Sequence, residues 1–202
     1  MDVRNTFTYH FFVALGSLLA VIVLVGLGIE LNRAVPAVAF LLLFLTLSIG
    51  PVMRLWRPVA EVLPWNLPWS WRGELGIWFV IVSIIHALLI LKGAQWDVWG
   101  YLAEIRLANL IALVALFWAL ILVATSFGKI IKFIGVSSWR WLHSFSYVVF
   151  YLIGFHVFNH AFLRPGRPAD WLHWTYLFMM LVIVFLQFAA FFKTVMINRK
   201  KN

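Results

Sequence analysis

The chain contains six histidines and no cysteine, so any metal or heme held by side chains must hang on imidazole. Disulfides, iron–sulfur ligation, zinc–thiolate sites and thioether-linked heme are excluded, since each needs cysteine at fixed spacing. Four histidines, His86, His143, His156 and His160, stand inside long apolar runs. A strongly polar group at bilayer depth is costly and marks a site, although a lone membrane histidine also serves as a hydrogen bonder between helices. His10 and His173 fall near the ends of such runs, where an amphipathic ring at the interface is the ordinary reading. The carboxylates point the other way. Asp2, Glu30, Glu61, Glu74, Asp97, Glu104 and Asp170 all fall in connections or within a turn of a run's end. That leaves no paired acid site, no carboxylate proton relay and no acidic cation path, which weakens a transporter or channel reading.

The elements that must position these rings are set by composition. Of 202 residues, 64% are hydrophobic and 11% charged, against about a quarter charged in a soluble domain; mean hydropathy is +0.98. A soluble globular protein is ruled out. The net charge of +9 would suggest nucleic acid in a soluble protein, but no polar segment is long enough for such a domain, and basic residues in short loops orient membrane proteins. At about 20 apolar residues per crossing, six spans are predicted at roughly 8–30, 35–53, 75–92, 105–127, 141–162 and 171–193. The expected fold is therefore an all-α integral membrane bundle forming a single domain over residues 1–202.

The first span lacks a basic leader and a cleavage site and is read as retained. Tight hairpins at Glu30–Arg33 and Leu163–Pro168 join spans one to two and five to six. Tryptophans at 56, 65, 69 and 71, at 96 and 99, and at 139 and 141 mark headgroup belts. Arg4, Arg54, Arg57, Arg72, Lys129, Lys132, Arg140, Lys193, Arg199, Lys200 and Lys201 share the side of the termini, against Arg33, Lys92, Arg106, Arg164 and Arg167 on the other. Both termini are therefore expected to be cytoplasmic, in the cell's inner membrane.

Depth singles out a pair. His86 lies six residues before Lys92 and His156 eight before Arg164, which puts both about 10 Å from the outer boundary on outward-running helices. Two imidazoles at one level on two helices are what a bis-histidine b-type heme needs, with a dry apolar slot between them. Ser83, Gly154, Phe150 and Phe155 are candidates for the room and walls of that slot. His143 stands 13 residues before His156, about 20 Å toward the cytoplasm, where a second heme is conceivable. On an ideal helix its ring points about 140° away from that of His156. The third span carries Arg72 and Gly73, not histidine, at the matching level. His160, one turn beyond His156, is a rival ligand or a propionate contact.

Arg72-Gly73-Glu74-Leu75-Gly76-Ile77-Trp78 followed by His86, and Trp141-Leu142-His143 with Tyr147 and then His156, resemble the ferric reductase-like transmembrane family. The resemblance is greatest to its stand-alone bacterial MsrQ branch, the heme-binding membrane subunits of methionine sulfoxide reductase pairs. It covers nearly the whole chain. It implies that paired spans hold b-type heme, with His86 and His156 as axial ligands of the outer heme and His143 matching the family's inner histidine. Larger relatives carry a further histidine where Arg72 and Gly73 stand here, so one heme is expected and a second is left open. Those relatives also continue into a flavin and nicotinamide domain, whereas this chain ends nine residues after Lys193. It is therefore expected to depend on a separate flavin reductase or a membrane quinol, with FMN or quinone bound near Arg72 and Arg140.

The function expected on this basis is an electron-transfer component of an oxidoreductase rather than a complete enzyme. Its acceptor on the outer face is a periplasmic protein that reduces oxidised methionine, a ferric chelate, or dioxygen. Its remaining surroundings are membrane lipid, with no nucleic acid partner. The basic loop residues Lys129, Lys132 and Arg140 are read first as setting topology and second as a dock for an acidic flavin partner. The competing expectation is a helix-bundle transporter or assembly factor without heme, in which the histidines bind a proton, a metal ion or a partner helix.

Overall fold

Within hydrocarbon every backbone N–H and C=O must be satisfied by its own segment, which leaves helix as the only solution for an isolated apolar run. The computed structural model describes residues 6–56, 67–163 and 168–199, and among these there are helices and no strands. The helices are α1 (Thr6–Gly26), α2 (Leu31–Leu55), α3 (Leu67–Gly93), α4 (Val98–Ala103), α5 (Leu107–Ala124), α6 (Gly128–Ile134), α7 (Val136–His143), α8 (Ser146–Phe162) and α9 (Trp171–Arg199). Six stretches are long and apolar enough to cross a membrane: Phe7–Gly26, Leu31–Leu55, Trp71–Gly93, Leu107–Ala124, Val136–Phe162 and Trp171–Arg199.

The six predicted spans are all present, with shifted ends. The first stops at Gly26, where Gly28 takes φ +84°, a conformation that suits glycine. The third begins at Leu67 rather than 75, with Pro68 in its first turn, where a missing N–H costs nothing. Of the predicted headgroup belts, Trp96 and Trp99 are exposed on the α3–α5 connection. Pro58, Pro64 and Trp65 lie outside the described residues, as do Arg164–Arg167 of the fifth-to-sixth hairpin.

The fifth span departs from a straight helix. Gly135, at φ +81°, ends α6 and opens α7. Ser144 and Phe145 then form a tight turn in which their N–H groups donate to the carbonyls of Trp141 and Leu142, both 3.0 Å. This is 3₁₀-type bonding, three residues back rather than four. The ideal-helix angle between His143 and His156 therefore does not apply.

The bundle is organised around α2, whose Val38, Phe40, Leu43 and Leu47 are almost wholly buried and which packs against α1, α3 and α9. The helices α5 and α8 pair with one another. α3 and α8 each lean on α2 and α5, with no extended contact between themselves. α2 and α9 run antiparallel and are fastened at both ends. Arg33 pairs with Asp170, and at the other end Lys193 Nζ donates to the Leu55 carbonyl at 2.6 Å, an otherwise orphaned acceptor at the C-terminus of α2. Asp170 also caps α9, accepting from the Leu172 and His173 amides at 3.1 and 3.2 Å. Partial burial would raise its carboxyl, but the hydrogen bond from Arg33 and the neighbouring His173 outweigh this and hold it below its ordinary value.

Candidate histidine cluster

Toward the Arg33 end, the first turn of α5 and the last turns of α8 meet. His156 and His160 share one face of α8, their ring centroids 4.8 Å apart. His156 Nδ1 lies 2.9 Å from the Ala108 carbonyl oxygen. A carbonyl only accepts, so Nδ1 carries the proton and Nε2 keeps its lone pair. This is how ligating imidazoles are usually oriented. His160 is held the opposite way round: its Nε2 lies 2.7 Å from Asn109 Oδ1, while Asn109 Nδ2 donates to the Tyr101 hydroxyl at 3.2 Å.

His86, on α3, comes within electrostatic range of both His156 and His160. Its Nδ1 is buried without a hydrogen-bond partner, a deficit that costs about 1–3 kcal/mol when nothing repays it. α3 and α8 make no extended contact, so His86 meets the α8 pair through side chains rather than through close helix packing.

The Lys193 end is built differently. His143 closes α7, with Nε2 3.5 Å from Thr125 Oγ1, the outer limit of a hydrogen bond, and the Trp139 ring 4.4 Å away by centroid. Arg72 lies within electrostatic range of His143. Its guanidinium runs along Gly50 of α2, where an added Cβ would sit 3.7 Å from Nη1. Two levels are thus laid out along α3, His86 at one and Arg72 at the other.

Glu74 stands within a turn of the start of the third span, as expected, yet is only 8% exposed, with Oε2 unpartnered. The Trp71, Trp78 and Trp139 indole nitrogens are likewise buried without partners.

The expected walls of the slot are elsewhere. Phe150, Gly154 and Phe155 do not border His156; they line an apolar groove of about 280 Å³ with Leu177, Met180 and Leu181 of α9. Gly154 is small because Met180 Sδ would sit 2.8 Å from a Cβ there, and Phe150 instead meets Phe40 of α2 at 6.0 Å. The reason is the helical period: positions 150 and 154 lie more than 100° around α8 from 156.

The structure therefore gathers His86, His156 and His160 and places His143 with Arg72 at a separate level. His173 joins Asp170 in fastening α9. His10 stands on α1, which has no extended contact with α7. Among the described residues no group of three or more histidines or carboxylates is placed to hold a metal ion. Axial ligation of heme needs only two. Sequence reasoning missed Ala108, Asn109, Tyr101 and Thr125. Asn109 had a readable signal, as an amide in the first turn of the most apolar span, while the Ala108 carbonyl had none. The sequence matches no protein-family profile and no curated protein.

Proposed function

We propose that the chain is a b-type heme-binding electron-transfer subunit of a bacterial inner membrane, with both termini cytoplasmic. It takes electrons from a separate flavin reductase or a quinol and delivers them to an acceptor on the opposite face. The ferric reductase-like resemblance favours an acceptor of the MsrQ type, a periplasmic methionine sulfoxide reductase, over a ferric chelate. The observation that carries the reading is the His86–His156 pair: two half-buried rings from helices without extended contact, within electrostatic range of each other, one with Nε2 as its lone-pair nitrogen and the other with a buried Nδ1 lacking any hydrogen-bond partner.

His86 and His156 would hold the heme, which when bound supplies one-electron Fe(III)/Fe(II) chemistry. The protein's part is to bind, orient and keep dry. Ala108 fixes the tautomer and tilt of His156. Apolar side chains of the surrounding helices α2, α3, α5 and α8 would keep the group dry. At the other level His143 would be the only histidine ligand of a second heme, with the Arg72 guanidinium supplying positive charge suited to carboxylate groups; FMN or a quinone near Arg72 and Arg140 would use the same charge.

Heme quantification on protein purified in detergent tests the reading. At least one b-type heme per chain is expected, and a colourless, well-folded protein would reject it. That rejection would favour the transporter or assembly-factor alternative, for which buried Glu74 is the supporting observation.

A further inference from the structure

His156 and His160 stand one turn apart on one face of α8, both within electrostatic range of His86. Depth and the family resemblance favour His156, and the structure adds a physical reason. We propose that Asn109 is a positioning residue that selects the ligand: by accepting the Nε2–H of His160 it turns that ring's outer nitrogen into a donor and leaves His156 as the member of the pair presenting an Nε2 lone pair. The argument is one of hydrogen-bond inventory. An amide oxygen only accepts, so the 2.7 Å contact from His160 Nε2 to Asn109 Oδ1 fixes the proton on Nε2.

The amide presents Oδ1 to His160 while its nitrogen donates to the Tyr101 hydroxyl at 3.2 Å. Tyr101 belongs to α4, whose first turn is secured by the Asp97 carboxylate accepting from the Gly100 amide at 2.9 Å. His156 has the reverse tautomer because its Nδ1 donates to the Ala108 carbonyl. Neighbouring residues of one helical turn, Ala108 by its backbone and Asn109 by its side chain, thus set the two rings to opposite roles. A connection outside the spans is linked through Tyr101 and Asn109 to the ring that must stay off the metal.

What the lone-pair nitrogen of His156 binds rests on the heme reading above; the opposed tautomers do not. The test has an arm for each. Nitrogen-15 NMR of histidine-labelled full-length protein is expected to show His156 protonated at Nδ1 and His160 at Nε2, with Asn109→Leu removing the His160 preference and Asn109→Asp, which keeps the acceptor, preserving it. Equal tautomers in the wild-type protein would overturn the proposal whether or not heme is present.

In the heme arm, His156→Ala is expected to lose at least tenfold in Soret absorbance per protein. The double variant His156→Ala/Asn109→Leu is expected to recover a third or more of it with a six-coordinate low-spin spectrum, and adding His160→Ala to abolish the recovery. The folding of Asn109→Leu alone is checked by a monodisperse profile and unchanged helical content. No recovery in the double variant, with that control intact, would overturn selection by Asn109. A wild-type protein without a Soret band would reject the heme reading and leave the tautomer arm to decide the rest.

Discussion

The two ends of the bundle use the same helices to different effect. Toward the Arg33 end, three rings from α3 and α8 converge, and two of them have their proton positions set by α5 through contacts of 2.9 and 2.7 Å. Toward the Lys193 end, the one ring from α7 meets only a 3.5 Å hydroxyl and a tryptophan, and faces an arginine. The first arrangement fixes the proton positions of two rings; the second leaves one ring beside a positive charge. Histidine supply does not explain the contrast by itself. The pairing of α5 with α8 brings backbone and amide acceptors to one end, whereas at the other the 3₁₀ turn at Ser144–Phe145 separates α7 from α8.

The sharpest way to break this comparison is to remove the paired ligands. His86→Ala or His156→Ala is expected to lower heme content at least tenfold, because one strong axial ligand remains, while His160→Ala keeps most of it. Purified heme-to-protein ratios check this, and a loss confined to His160→Ala would reverse the assignment on α8.

At the other end the effect is smaller. His143→Ala is expected to remove at most half of the heme, and Arg72→Leu to follow it in direction. Both leave the low-spin signal of the His86–His156 site unchanged in electron paramagnetic resonance. Two fully bis-histidine signals, or His10 found coordinated opposite His143, would show that the ends are equivalent after all.

How much of this was legible follows from what carries each feature. The six spans come from hydropathy summed over about 20 residues, a signal that survives local detail, so all six appear. The matched depth of His86 and His156 also follows from counting along helices. Which face a residue presents is decided by neighbouring helices, and there the sequence is silent. Gly154 and Phe150 turn toward α9 and α2, and Glu74 is buried although it lies one turn from a span end. The turn at Ser144–Phe145 contains neither glycine nor proline to announce it, whereas Gly135 could have marked where the fifth span begins. The Ala108 carbonyl is invisible to any side-chain motif.

The fastenings at the ends of α2 and α9 give the smallest effects. Asp170→Asn, which keeps a capping side chain, is expected to cost about 0.5–1 kcal/mol through loss of the part-buried ion pair with Arg33, and Lys193→Met about 0.5 kcal/mol or less. Thermal denaturation in detergent reads both. Since the Asp170 carboxyl sits below its ordinary 3.8 in the folded protein, its contribution is present above that value and is lost as pH falls through the folded pKa. The wild-type advantage over Asp170→Asn should therefore hold at pH 6 and shrink as pH falls below the ordinary carboxyl value. An advantage independent of pH would mean that the Asp170 charge is not what fastens α9.

The central claim is that the His86–His156 pair is an axial ligand set, and the reduced-minus-oxidised optical spectrum of the purified wild-type protein beside His86→Ala tests it most directly. The account predicts an intense Soret band with a sharp low-spin α band on reduction of the wild-type protein, and its disappearance in the variant at unchanged helical content. A wild-type spectrum without visible bands, or a low-spin spectrum that persists in His86→Ala, would contradict it.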